Sequence, residues 1–146
     1  MHACAMDGGT HIMVLQSLAG LPAFIVYFGI AAGFVVAYVI IYTTITRHDE
    51  FALIRADIPG AAIALGLSTI GFALPLASAI GHSASVLDCA LWGFIALVVQ
   101  VVVYYLVRST IPDLTGRIAK GQLAPAIWLG LVSVAAGMLN AASMAL

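Results

Sequence analysis

The sequence predicts an all-α membrane protein: four transmembrane helices built as two tandem two-helix repeats in parallel orientation, with the N-terminus and C-terminus outside. Three observations carry this. The 146 residues are 64% hydrophobic and only 8% charged, with a mean hydropathy of +1.16, whereas a soluble domain carries about 25% charged residues. All five basic residues fall in two connectors: Arg47 and Arg55 in one, Arg108, Arg117 and Lys120 in the other. Finally, Ala62-Ile63-Ala64-Leu65-Gly66-Leu67 recurs as Ala126-Ile127-Trp128-Leu129-Gly130-Leu131, 64 positions on, with one residue changed.

Residues 1–20 read as a tail with an interfacial segment near Ile12 to Gly20, and 21–146 as one membrane domain. The first twelve residues are small and polar, and lack the basic n-region of a cleaved signal peptide. His2, Cys4, Asp7 and His11 match no standard zinc spacing, so no metal and no cofactor is expected. Cys4 and Cys89 do not make a disulfide framework. Both fall on the outer face, where oxidation is possible, but nothing in the sequence brings the two sulfurs together.

From Ile12 to Ile45 the chain is uncharged and longer than a bilayer needs, at 1.5 Å per residue against about 30 Å of hydrocarbon. Pro22 suits a first helical turn, so the first span runs from about Leu21 to Thr43. The turn Thr46-Arg47-His48-Asp49-Glu50 reads as solvated, its carboxylates capping a short interfacial helix over Phe51 to Asp57. The second span covers about Pro59 to Ile80 and closes at Gly81-His82-Ser83-Ala84-Ser85. The third covers about Leu87 to Val107. Arg108 to Gln122 reads as a polar connector, and the fourth span as Leu123 to Met144. The positive-inside rule makes the two basic connectors cytoplasmic.

Sliding the chain by 64 aligns residues 27–79 with 91–143 at about 13 of 53 identities, including Thr46/Thr110 and Asp49/Asp113. Both halves enter the membrane from the same side, which makes the repeat parallel, about an axis along the membrane normal. On the second helix Ala62, Gly66, Thr69 and Ala73 form a stripe of small residues at helical spacing. Its counterpart on the fourth is Ala126, Gly130, Ser133 and Gly137. In lipid, helices associate by close backbone approach over small residues, so the two stripes are expected to pack on each other. Gly29 and Gly33 form a further small-residue pair on the first helix.

No ionisable residue lies deep in a span, which argues against a proton-coupled carrier. The deep polar residues include Ser68, Ser78, Gln100 and Asn140, and each either bonds to a neighbouring helix or lines a polar path. Gln100 is the costliest, because its amide needs partners near mid-membrane. Pro75 leaves a carbonyl free one turn earlier and should kink the second helix near Gly71. The sequence contains no nucleophile–base set, glycine-rich phosphate loop or CxxC, so an enzyme is not expected. A net charge of -1 gives no case for nucleic acid.

Leu53-Ile54-Arg55, Gly71-Phe72 with Pro75-Leu76 and Ser78, Trp92-Gly93 with Ala96 and Gln100, Pro112-Asp113-Leu114, and Asn140-Ala141-Ala142-Ser143-Met144 occur in order. Together, from about Tyr27 onward, they resemble the YjfL-like family, domain of unknown function 350, of small bacterial inner-membrane proteins. The resemblance implies four helices, an internal duplication and a place in envelope or membrane-stress systems. Three positions depart from the family pattern. Thr46-Arg47 replaces a Thr-Pro turn, and Asp57-Ile58 replaces a Gly-Asn that Gly121-Gln122 approaches more closely. Ser143 stands where the family has cysteine, so no role built on that thiol carries over.

The expectation is a structural or sensing component of a membrane-maintenance system, set in the inner (plasma) membrane. Its expected partners are the lipid bilayer, a second copy (a dimer) and other envelope proteins. The alternative is a small-solute or ion channel lined by Ser68, Ser78, Gln100 and Asn140.

Overall fold

The computed structural model describes residues 18–46 and 49–145. The metal-like tail residues, Cys4, most of the interfacial segment, Arg47 and His48 lie outside them. Among the described residues six helices follow in order: α1 (Leu21–Ile45), α2 (Glu50–Arg55), α3 (Pro59–His82), α4 (Val86–Thr110), α5 (Leu114–Ala119) and α6 (Leu123–Met144). The four long ones are each long and apolar enough to cross a membrane. α2 and α5 sit in the connectors at one end of the bundle, here called the short-helix end.

Local chemistry sets the boundaries. Pro22 occupies the first turn of α1, where its missing N–H costs nothing. Asp49 caps α2, its carboxylate accepting from the Ala52 N–H at 3.0 Å, and Ser85 caps α4 by accepting from the Asp88 N–H at 3.2 Å. α2 ends earlier than expected because Asp57 adopts φ 57°, and Ile58 is then extended ahead of Pro59. The connector after α4 is not merely polar coil. α4 runs on to Thr110, and α5 follows.

Short helix α5 repeats the bonds that close α2, 64 positions on. Ile58 N–H donates to Leu53 O at 3.1 Å as Gln122 N–H does to Arg117 O at 3.1 Å, and Asp57 N–H to Ile54 O as Gly121 N–H to Ile118 O. Gly121, at φ 82°, takes the left-handed place that Asp57 takes in the first half. The caps differ: Asp113 itself lies at φ 50° and makes no side-chain cap.

α3 is the hub and touches all five other helices, most extensively α6, while α1 packs on α3 and α4. The core comprises Tyr38, Tyr42, Phe72, Leu76, Ala96, Tyr104, Leu129 and their neighbours. Outward faces carry Phe24, Phe28, Leu87, Phe94 and Leu139, as lipid-facing helices do.

Candidate functional site

The seam between α3 and α6 is where backbones come closest. A Cβ built on Gly137 would run into the carbonyl oxygen of Gly71, and one on Gly71 into that of Ser133. A Cβ on Gly130 would stand 2.6 Å from the Leu67 Cβ, and one on Gly60 would stand 3.7 Å from that of Ala126. The contacts climb both helices together, so the two run parallel. Pro75 lies inside α3 and is buried. Proline has no N–H for the carbonyl four residues back, which leaves the Gly71 oxygen without its intrahelical partner and facing Gly137.

The fourth-helix stripe packs as its composition suggests: Ala126, Gly130, Ser133 and Gly137 are all buried. The second-helix stripe does not. Ala62, Gly66 and Ala73 are exposed and Thr69 is half-buried, its hydroxyl bonding back to Leu65 O at 2.8 Å. α3 turns a different side to α6, made of Gly60, Ala64, Leu67, Ser68 and Gly71. The reason is crowding. α3 must also hold α1 and α4, and the bulk of Phe72 and Leu76 goes to them, so the face left for α6 is rotated from the one its small residues suggest.

Gln100 links three helices. Buried on α4, it donates through Nε2 to Ser133 O at 3.3 Å and Ser68 O at 3.4 Å, while the Ser68 and Ser133 hydroxyls meet at 3.3 Å. All three lie nine or ten residues from the short-helix end of their helices, roughly 15 Å deep. Ser78 donates to Ala141 O at 2.9 Å nearer the other end, and Asn140 is half-buried beside it in sequence. The four polar candidates therefore do not converge: Ser68 and Gln100 pair in the core, and Ser78 and Asn140 belong to the far end. A groove of about 440 Å³ between α1 and α3 is lined by Phe28, Val36, Ala73, Leu76 and other apolar residues, with none of the four.

Below Gln100 the core becomes phenolic. Tyr38 stacks on Phe72 with ring centroids 4.7 Å apart, and Tyr42 meets Tyr104 edge-on at 5.6 Å. Tyr38 neighbours Ser68 and Gln100. At the mouth sits Glu50, only 3% exposed, which corrects the expectation of a solvated carboxylate there. Asp49 alone stays outside as the cap. Among the described residues Glu50 Oε2 and the hydroxyls of Tyr42 and Tyr104 are buried with no hydrogen-bond partner.

Sequence reasoning missed this cluster because it placed Glu50 in a solvated turn. A signal was available: Gly93, Ala96, Gln100, Tyr104 and Val107 follow one face of α4, so Tyr104 shares the side that Gln100 must bury. Cys89 is a buried free thiol on that face. Among the described residues no three His, Cys, Asp or Glu side chains gather as metal ligands.

Comparison with known proteins covers most of the chain. A family model described as Domain of Unknown Function (DUF350) matches residues 16–144. The UPF0719 inner membrane protein YjfL of Escherichia coli strain K12 is 36% identical over 130 residues, covering 89% of this chain and 98% of that one. The same-named protein of Escherichia coli O157:H7 matches to the same extent. No solved structure matches.

Proposed function

Since this chain belongs to the DUF350 family and is a multi-pass inner-membrane protein, we propose that it is a non-enzymatic structural or sensing component of the bacterial envelope. What supports this reading over a channel is the Gln100 amide. Its bonds go to Ser68 O and Ser133 O inside a glycine-tight seam, where no column of water fits. Solute flux in proteoliposomes is expected to match that of protein-free vesicles, and Gln100→Leu to leave it unchanged. The same substitution should lower stability by about 0.6–1.7 kcal/mol, the range for interhelical hydrogen bonds in lipid. Flux that disappears in Gln100→Leu would instead establish the channel.

The halves are read as products of duplication, supported by the matching bonds of α2 and α5. Orientation follows the basic connectors, with both termini outside. A reporter fused after Arg55 is expected to behave as cytoplasmic and one after Ser85 as external; the reverse pattern overturns the assignment.

Association with a second copy is the remaining part of the proposal, beside contacts with other envelope proteins. Ala62, Gly66 and Ala73 on α3, with Gly29 and Gly33 on α1, are exposed in the single chain, and a Cβ on any of these three glycines meets nothing within 4 Å. Small residues gain little from lipid and much from another helix backbone.

A further inference from the structure

Consecutive side chains at a helix start point about 100° apart, at 3.6 residues per turn. With Asp49 turned out to cap α2, Glu50 is turned in and buried. From α1 it is faced by Tyr42 and Thr46, the Thr46 hydroxyl donating to Tyr42 O at 3.0 Å. From α4 it is faced by Tyr104, beside Arg108. The Arg108 guanidinium donates to Ile45 O at 3.4 Å, and among the described residues makes no bond to Glu50. On its own element the neighbouring acid is Asp49. α3, against which α2 packs, carries only His82, at the opposite end. Among the described residues three oxygens from three helices are thus buried without a hydrogen-bond partner of ordinary geometry, and Arg108, the cation beside them, lies next to Tyr104 and donates to the Ile45 carbonyl.

Among the described residues a carboxylate in that position is bonded by no cation, whereas the neutral acid has one O–H to give and a carbonyl to receive. Two phenols, each both donor and acceptor, can complete the ring with it directly or through one water. We propose that Glu50, Tyr42 and Tyr104 form a proton-binding site at the short-helix end of the bundle, occupied when Glu50 is folded in and emptied when α2 loosens. The step is an acid dissociation: the carboxyl O–H bond breaks, its electron pair stays on the carboxylate, the proton passes to water, and the charged side chain follows it out. The site goes beyond the structural role of the bundle and does not depend on it.

Burial, and then the charge of Asp49, raise the Glu50 carboxyl above its ordinary range, with hydrogen bonding to Thr46 opposing them. The folded protein therefore holds this proton more tightly than the unfolded chain. Stability from the filled site is complete below the ordinary glutamate pKa and is lost as pH rises through the raised, folded value.

The test is a pH titration of the full chain in lipid nanodiscs, followed by the infrared carbonyl band of protonated carboxyl groups. Amide exchange over α2 is measured in parallel and corrected for its intrinsic pH dependence. The wild type should show a band that persists above the ordinary carboxylate range and vanishes in Glu50→Gln. Exchange over α2 should rise at least tenfold across the same midpoint in the wild type and become independent of pH in the variant. Tyr42→Phe and Tyr104→Phe keep the rings and should each move the midpoint, which preserves the test if Glu50→Gln fails to fold. A band that titrates in the ordinary range, one that survives in Glu50→Gln, or a midpoint unmoved by either phenylalanine overturns the proposal.

Discussion

Gly137→Leu is expected to unseat α6 from α3 at a cost of about 3 kcal/mol or more, the upper range for overpacking a closed site. The leucine Cβ would fall on the Gly71 carbonyl oxygen. That oxygen belongs to rigid backbone, fixed one turn before Pro75, so no side-chain rotation can relieve the clash. The helices must separate, and the Ser68–Ser133 and Gln100 bonds are lost with the seam. Equilibrium unfolding in mixed micelles reads the loss, and a midpoint equal to wild type would mean the seam is looser than described. Gly66→Leu is the control one face away. Nothing lies within 4 Å of its Cβ, so folding stability should stay within about 0.5 kcal/mol while cross-linking between copies falls. Unchanged cross-linking would remove the α3 stripe from any subunit contact.

Phe72→Ala is the second substitution with a large expected effect, about 3 kcal/mol. Phe72 is fully buried and stacks on Tyr38, joining α3 to α1. In water a phenylalanine-to-alanine change in a core costs about 3–5 kcal/mol. Between lipid-embedded helices the solvent-transfer part is smaller, so lost packing and the cavity dominate, and the lower end applies. α1 has few other anchors, since only Tyr38 and Tyr42 on it are buried. Its detachment should therefore accompany the loss, seen as faster proteolysis of the turn after Ile45. Phe72→Leu, which refills most of the space, should recover more than half of the stability.

The spans were legible almost to the residue. Expected limits of Leu21–Thr43, Pro59–Ile80, Leu87–Val107 and Leu123–Met144 became Leu21–Ile45, Pro59–His82, Val86–Thr110 and Leu123–Met144. Uninterrupted apolar length is a one-dimensional property, and proline and capping residues mark its ends locally. Gln100 was legible for a related reason: an amide in hydrocarbon must find partners, whichever helices supply them. The helix Leu114–Ala119 was overlooked although the 64-residue shift points to it, because its sequence reads as a polar loop.

What sequence could not decide was which way each helix faces. The two hexapeptides have nearly the same residues, yet Gly130 is buried against Leu67 while Gly66 faces outward, and Ala64 is buried where Trp128 is exposed. Helix rotation is set by the number and bulk of neighbours. α3 must satisfy five of them, including the rings of α1 and α4, and so gives α6 a different side from the one its small residues offered. Glu50 follows the same logic. Its chemistry alone places it in water, and only the closure of α1, α2 and α4 around it turns that acid inward. Composition and length thus determined the solvent, the number of spans and the need for Gln100 to be paired. Packing in three dimensions determined the seam, the phenolic cluster and the buried acid, because those depend on contacts between residues far apart in the chain.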